Sequence, residues 1–232
     1  MSFTLAFIPA RGGSKGIPKK NLAILNGRPL ISYTIELSKK IKVDDIFVSS
    51  DDEEILKFCI SEGVSMKYRR PDYLSTDEAS TVDAVIHGIN WYQSENKKNI
   101  ENIILLQPTF PLRKQEHVVD ALNYFQLNKL DSLVSVTPMR EHPFECIEVD
   151  DELNWNYLRS PDRTVNRRQD YSGRYGFIDG SFYISKWSFI KENKNFVIPN
   201  QTFPYFTPQK YAIDIDDPED LVHAEALIEI NG

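Results

Sequence analysis

Phe3-Thr4-Leu5-Ala6-Phe7-Ile8-Pro9-Ala10-Arg11-Gly12-Gly13-Ser14-Lys15-Gly16 is the stretch that decides the fold. Residues 3–8 form a short apolar run broken by Pro9 and a glycine-rich loop, the pattern of a fully buried strand running into a turn. Beyond it Leu30, Tyr33, Thr34, Leu37 and Ile41 recur at helical spacing behind Pro29, which suits a first helical turn. Strand, loop and helix in that order open an α/β chain.

Working outward, the unit repeats. Residues 46–50 read as a second buried strand, and Asp51 or Asp52 can cap a helix carried by Glu54, Ile55, Phe58 and Cys59 up to Gly63. A strand over 64–68, a polar loop Arg69-Arg70-Pro71-Asp72-Tyr73-Leu74-Ser75-Thr76-Asp77-Glu78-Ala79-Ser80-Thr81 and a helix over 82–92 follow. Strands over 103–106, 132–136 and 181–184 and helices over 115–125 and 218–230 complete the series. Such alternation predicts a three-layer α/β fold, a mostly parallel sheet flanked by helices on both faces. From 139 to 178 the rhythm fails, and a stretch of that length without period inside a compact domain predicts an insertion with its own task, here subunit contact. The chain is otherwise expected to be one domain over 1–232.

The totals set limits. With 232 residues, 41% hydrophobic and 26% charged, the chain can bury one sizeable core and has neither a disordered nor a fibrous composition. A formal net charge of -7 offers no basic field for nucleic acid or an anionic membrane, so an anionic substrate must be met locally. Cys59 and Cys146, far apart and among apolar neighbours, fit buried thiols. No apolar stretch reaches membrane-spanning length and the N-terminus lacks signal-peptide features, so a cytoplasmic place is expected.

The first loop carries the strongest chemical signal. Its glycines let backbone N–H groups approach oxygens, while Arg11, Lys15 and Lys20 can neutralise phosphate charge. It matches neither the P-loop nor the dinucleotide fingerprint, and a solvated basic turn is the competing account. Arg70 could read a pyrimidine carbonyl or cap a strand end. Gln107 follows a predicted strand at its carboxyl end, where ligands sit in open α/β sheets; its amide suits sugar hydroxyls or the Pro108-Thr109 turn. Asp214 and Asp216, two apart, would share one face of a strand with Ile215 opposite, which fits a Mg²⁺ pair or an unmetallated acidic cap. Asp217, Glu219 and Asp220 read as helix-start acids. The four histidines show no metal-ligand spacing.

The run Ile8-Pro9-Ala10-Arg11-Gly12-Gly13-Ser14-Lys15-Gly16-Ile17-Pro18-Lys19-Lys20-Asn21 resembles the signature of the CMP-N-acylneuraminate synthetases, cytidylyltransferases that activate sialic acids and bacterial relatives such as legionaminic acid. The resemblance continues through the polar loop ending at Thr81, Leu105-Leu106-Gln107-Pro108-Thr109-Phe110-Pro111-Leu112-Arg113, Arg167-Arg168-Gln169-Asp170-Tyr171 and the block from Tyr211 to Leu221. It implies a Rossmann-like nucleotidyltransferase fold and a cytoplasmic homodimer. It also implies CTP at Ala10, Arg11, Gly12, Gly13, Ser14, Lys15, Lys20 and Asn21, the cytidine near Arg70 and Thr81, and an acidic sugar near Gln107. Asp214 and Asp216 would hold Mg²⁺ or Mn²⁺. Arg168 would reach the neighbouring subunit's site, making the 139–178 insertion an exchanging arm. In His142-Pro143-Phe144-Glu145 some sialic acid enzymes carry lysine where Glu145 aligns, a charge reversal that tells against N-acetylneuraminate itself and leaves legionaminic or another bacterial nonulosonic acid open.

The implied reaction transfers CMP from CTP to the anomeric hydroxyl of a nine-carbon acidic sugar, with Arg11, Lys15, Lys20 and Asp214 as the catalytic set. Two alternatives stand beside it. A nucleotide-sugar glycosyltransferase shares an Asp-x-Asp metal pair but leaves the first loop unexplained, and a non-catalytic nucleotide or sugar sensor could share the fold.

Overall fold

In the computed structural model, which describes residues 2–64, 68–160 and 173–231, the opening unit forms as β1 (Thr4–Pro9) and α1 (Leu30–Lys40). Between them lies a small hairpin of β2 (Ile24–Leu25) and β3 (Arg28–Pro29). Its turn is Asn26-Gly27, both at positive φ (45 and 75°), the dipeptide a two-residue turn of that hand requires. The chain continues with β4 (Asp45–Ser49), α2 (Glu53–Ser61), α3 (Thr81–Asn96), β5 (Asn102–Leu105), α4 (Gln115–Leu127) and β6 (Ser132–Pro138). A second hairpin, β7 (Ile147–Val149) with β8 (Trp155–Tyr157), precedes β9 (Gly176–Lys186), α5 (Trp187–Asn193), β10 (Thr202–Phe206) and α6 (Pro218–Asn231).

Six strands form the main sheet in the order β10-β6-β9-β5-β1-β4. β1 pairs in parallel with β4 and β5, and β10 with β6; β9 is antiparallel to both its neighbours, β5 and β6. The mostly parallel sheet is as expected. Side chains of β1 alternate between its faces: Leu5 and Phe7 join Phe47, Val85, Ile89 and Trp187 on one side, while Ala6 and Ile8 join clusters under α1, α4 and α2 on the other. Burial on both faces is what a parallel strand beneath two helical layers demands. α3 rides close to the sheet at Gly88, where an added Cβ would lie 2.9 Å from the rings of Phe7 and Phe47.

Several expectations change. Val64 and Tyr68, the ends of the predicted 64–68 strand, belong to no strand, and 65–67 lie outside the described residues. Both ends are buried by packing instead, Tyr68 against Phe47 and Trp91, so their apolar character reflects the core and not a ladder. Asp214 and Asp216 do not stand on a strand either. Their segment is tied to the stretch after β5 by a backbone bond, Ile215 N–H to Thr109 O at 2.8 Å, and the alternation survives, with Ile215 buried and both aspartates exposed. Asp52, of the two candidates, caps α2, accepting from the N–H groups of Glu54 and Ile55. Cys59 is buried and its thiol is pushed by burial up to about 12; Cys146 is half-buried, and both are free. No helix among the described residues is long and apolar enough to cross a membrane.

Candidate active site

β5, β1 and β4 are adjacent and parallel, so their carboxyl ends open on one edge of the sheet, and the segments after β1 and β5, with Arg70 and the stretch from Leu74 to Thr81, line a cleft of ≈ 290 Å³. The loop after β1 brings Arg11, Gly13, Ser14, Lys20 and Asn21. Arg70 enters along the end of β4. It is buried, its Nε donates to Ser49 Oγ (2.9 Å) and its Nη2 to Ser49 O (2.6 Å), and burial lowers its pKa. Thr81, at the start of α3, lies nearby in the lining. The segment after β5 adds Gln107, Pro108 and Thr109, and the extended stretch before α6 adds Asp214 and Asp216.

Three predicted loop residues stand back from the cleft wall. Ala10 is fully buried and donates its N–H to Ser49 O at 2.8 Å, which ties the loop's root to β4. Gly12 donates its N–H to Asp51 Oδ1 (2.9 Å), and a Cβ there would lie 2.8 Å from Asp52. Lys15 extends into solvent and meets Asp77 Oδ2 at 3.4 Å. Arg168 lies outside the described residues.

Carboxylates face the loop's cations. Asp77 Oδ1 contacts Arg11 Nη1 at 2.7 Å while its other oxygen meets Lys15. Partial loss of water raises the Asp77 carboxyl, but hydrogen bonds from Arg11 and Lys15 outweigh it and hold its pKa below the ordinary value. Lys20, its side chain mostly covered, donates to Asp216 Oδ1 at 2.7 Å. Asn21 Nδ2 donates to Arg11 O (2.8 Å) and holds the loop's curvature. Gly16 passes so close to the aspartate segment that a Cβ would sit 2.0 Å from Asp216 O. Gln107 lines the cleft, and its Nε2 donates to Gly180 O at 3.2 Å, a bond that leaves the acceptor capacity of its amide oxygen unused.

The start of α6 separates two kinds of acid. Asp217 Oδ1 accepts from the N–H groups of Glu219 and Asp220, and Asp220 Oδ2 accepts from those of Asp216 and Asp217. These are the reciprocal bonds of a capping box, so Asp217 and Asp220 are absorbed by the helix start. Asp214 and Asp216 remain turned to the cleft. Desolvation is the largest influence on Asp214 and raises its pKa, with the Thr109 hydroxyl opposing and the Asp216 charge adding to the rise. A carboxylate whose charge is disfavoured by burial and by a neighbouring acid suits a hard divalent cation, which commonly takes one or two protein oxygens and completes its shell with water and phosphate. Among the described residues no group of three or more His, Cys, Asp or Glu side chains could hold a metal.

Sequence reasoning gave no site role to Asp77 or Gly16, and took Asp51 only as a candidate helix cap. Asp77 was one acid in a polar loop, and the partners of the other two become visible only when distant segments meet.

Fold and cleft together define an α/β protein with a cleft of paired cations and carboxylates at the carboxyl edge of its sheet. The chain belongs to the cytidylyltransferase family, whose model matches residues 5–172. It is 33% identical over 223 residues to the N-acylneuraminate cytidylyltransferase of Streptococcus agalactiae serotype V, covering 94% of this chain and 52% of that protein. The chain thus spans about half the length of the first such relatives. It is 31% identical to the pseudaminic acid cytidylyltransferase of Campylobacter jejuni (98% and 97% covered) and 32% identical to the CMP-N,N'-diacetyllegionaminic acid synthase of Legionella pneumophila (98% and 97%). Among solved structures it is similar to CMP:2-keto-3-deoxy-manno-octonic acid synthetase complexed with CTP, with a TM-score of 0.71, 18% identity and full coverage of both chains. That likeness bears out the nucleotidyltransferase fold.

Proposed function

We propose that this protein transfers CMP from CTP to the anomeric hydroxyl of a nine-carbon acidic sugar of the sialic, legionaminic or pseudaminic type and releases pyrophosphate. The observation that carries the proposal is the convergence, in one cleft, of Arg11 and Lys20 from the first loop with Arg70, Thr81, Gln107 and the Asp214/Asp216 pair. The names of the curated relatives supply the substrate class. Their identities of 33, 31 and 32% support the three sugars alike.

In this account the anomeric oxygen bonds to the α-phosphorus as the bond to the bridging oxygen of the β-phosphate breaks; pyrophosphate takes the electron pair and the hydroxyl proton is released. Arg11, Lys15 and Lys20 bind the phosphates and offset charge that grows on the leaving group. Arg70 and the Thr81 hydroxyl face the cytosine edge, and the Gln107 amide orients the sugar. Asp214 and Asp216 would hold Mg²⁺ or Mn²⁺, which when bound supplies further charge neutralisation at the phosphates. CTP as substrate implies a cytoplasmic place of action.

The same proposal includes a homodimer. Ile147 pairs with Tyr157 and Val149 with Trp155 across the β7–β8 hairpin, so all four project from one face, and all four are exposed. An isolated two-stranded hairpin with an uncovered apolar face is a poor structure in water, which supports a second copy covering it.

The test is pyrophosphate release from CTP and Mg²⁺ with N-acetylneuraminic, legionaminic and pseudaminic acids supplied separately, against controls lacking sugar or metal. Release with one or more of these sugars, absent from both controls, is expected. Folded protein that releases none with any of the three would overturn the proposal.

A further inference from the structure

Asp77 is an acid in a site whose task is to attract an anion. It lines the cleft from the loop between the short 3-10 turn Asp72–Leu74 and α3. Its two carboxylate oxygens divide between two cations of that loop, Oδ1 to Arg11 Nη1 at 2.7 Å and Oδ2 to Lys15 Nζ at 3.4 Å. A phosphate offers the same thing, two oxygens on one atom presented to two donors. All three side chains keep solvent access, 33% for Arg11, 80% for Lys15 and 41% for Asp77, so an incoming ligand can reach them without unfolding the loop. Lys20 is held apart from this arrangement by its own partner, Asp216.

We propose that Asp77 is a displaceable internal anion: polyphosphate must push it off Arg11 and Lys15 to bind, and it recaptures them as pyrophosphate departs. The inference rests on the proposal that the first loop receives the triphosphate. The charge count makes the exchange work in both directions. With Asp77 docked, Arg11 and Lys15 present one net positive charge instead of two, so a single weak anion gains little by competing. A polyphosphate, carrying several charges, displaces one carboxylate. Asp77 therefore lowers affinity for every ligand that uses these two cations and leaves alone any ligand that does not. CTP and pyrophosphate fall in the first class and CMP, lacking the β- and γ-phosphates, in the second. Weak holding of pyrophosphate also speeds turnover wherever product release limits it.

Equilibrium titration of CTP, pyrophosphate and CMP, without sugar, into the wild-type protein, Asp77→Asn and Asp77→Ala tests this. Exposed pairs contribute modestly, so CTP and pyrophosphate should bind roughly three- to tenfold more tightly to both variants, with the gain shrinking as salt is raised. CMP affinity should stay within about twofold. Unchanged or weakened pyrophosphate binding in both folded variants overturns the role of Asp77, and so does a gain shared equally by CMP. Wild-type protein that binds neither CTP nor pyrophosphate would instead remove the triphosphate reading beneath it.

Discussion

Gly16 shows how much of the cleft depends on a single missing side chain. Its Cα lies so near Asp216 O that a methyl group would sit 2.0 Å from that oxygen, far inside contact distance. Gly16→Ala must therefore separate the first loop from the aspartate segment and stretch the 2.7 Å pair between Lys20 and Asp216. Displacement of catalytic groups by about an ångström commonly costs on the order of 100-fold, so steady-state pyrophosphate release should fall by roughly 10- to 100-fold while the far-ultraviolet circular dichroism stays unchanged. A normal rate would show that this contact does not set the geometry. At this scale the sequence announced the cations Arg11, Lys15 and Lys20, because glycines and basic residues after a buried strand are a local pattern. It could not announce Gly16's partner, 200 positions away, or Asp77's contact across the cleft, because no local pattern encodes which carboxylate a loop will meet.

Among the elements, the β2–β3 hairpin and α1 are joined by charge. Glu36 accepts from Arg28 Nη2 at 2.6 Å and from Lys40 on the next turn of α1. Hydrogen bonds from Lys40 and then Arg28 lower its pKa from 4.5 to about 2. A carboxylate depressed in the folded state stabilises fully above its unfolded pKa and loses that contribution as pH falls through the folded value. Glu36→Gln should therefore be less stable than wild type above about pH 4.5 and converge with it as pH approaches 2. Solvent screening keeps the difference to roughly 1 kcal/mol or less, about 2–4 °C in Tm for a chain of this size. Melting curves at several pH values, with an equal gap throughout as the contrary result, decide it. Elements with a clean period were legible from sequence, as β1, α1, α3 and α4 show. α5 and β10 were not. α5 follows β9 without an intervening loop, so no turn residue marks its start. β10 contains Pro204, which argues against a central strand and is tolerated here because β10 is an edge.

On the scale of the whole molecule, the β7–β8 hairpin gathers exposed apolar side chains, Ile147, Val149, Leu153, Trp155 and Tyr157, outside the sheet that builds the cleft. Trp155 and Tyr157 meet edge to face with ring centroids 5.3 Å apart, and Trp155 is 52% exposed. If a second copy covers this face, Trp155→Asp should weaken self-association at least tenfold, since buried tryptophans at interfaces commonly carry about 2 kcal/mol or more. Sedimentation of both proteins across a concentration range checks this, and a wild type that remains monomeric throughout would remove the dimer. The layer order of the fold was readable from alternating strands and helices. The direction of β9 was not, because a strand buried on both faces carries the same apolar run whichever way it points.

That strand also governs when the sheet can close. β9 stands between β5 and β6, with Ile104 opposite Ile184 and Leu133 opposite the same residue, so pairs some 80 and 50 positions apart meet at the centre of the molecule. Until Gly176–Lys186 leaves the ribosome, β5 and β6 each present an unsatisfied apolar edge, and the β4-β1-β5 half has nothing to join it to β6, whose other partner, β10, is made later still. Synthesis therefore passes through an interval in which two open edges coexist on one nascent chain, and it is in that interval, not in the finished fold, that this protein is most exposed to aggregation.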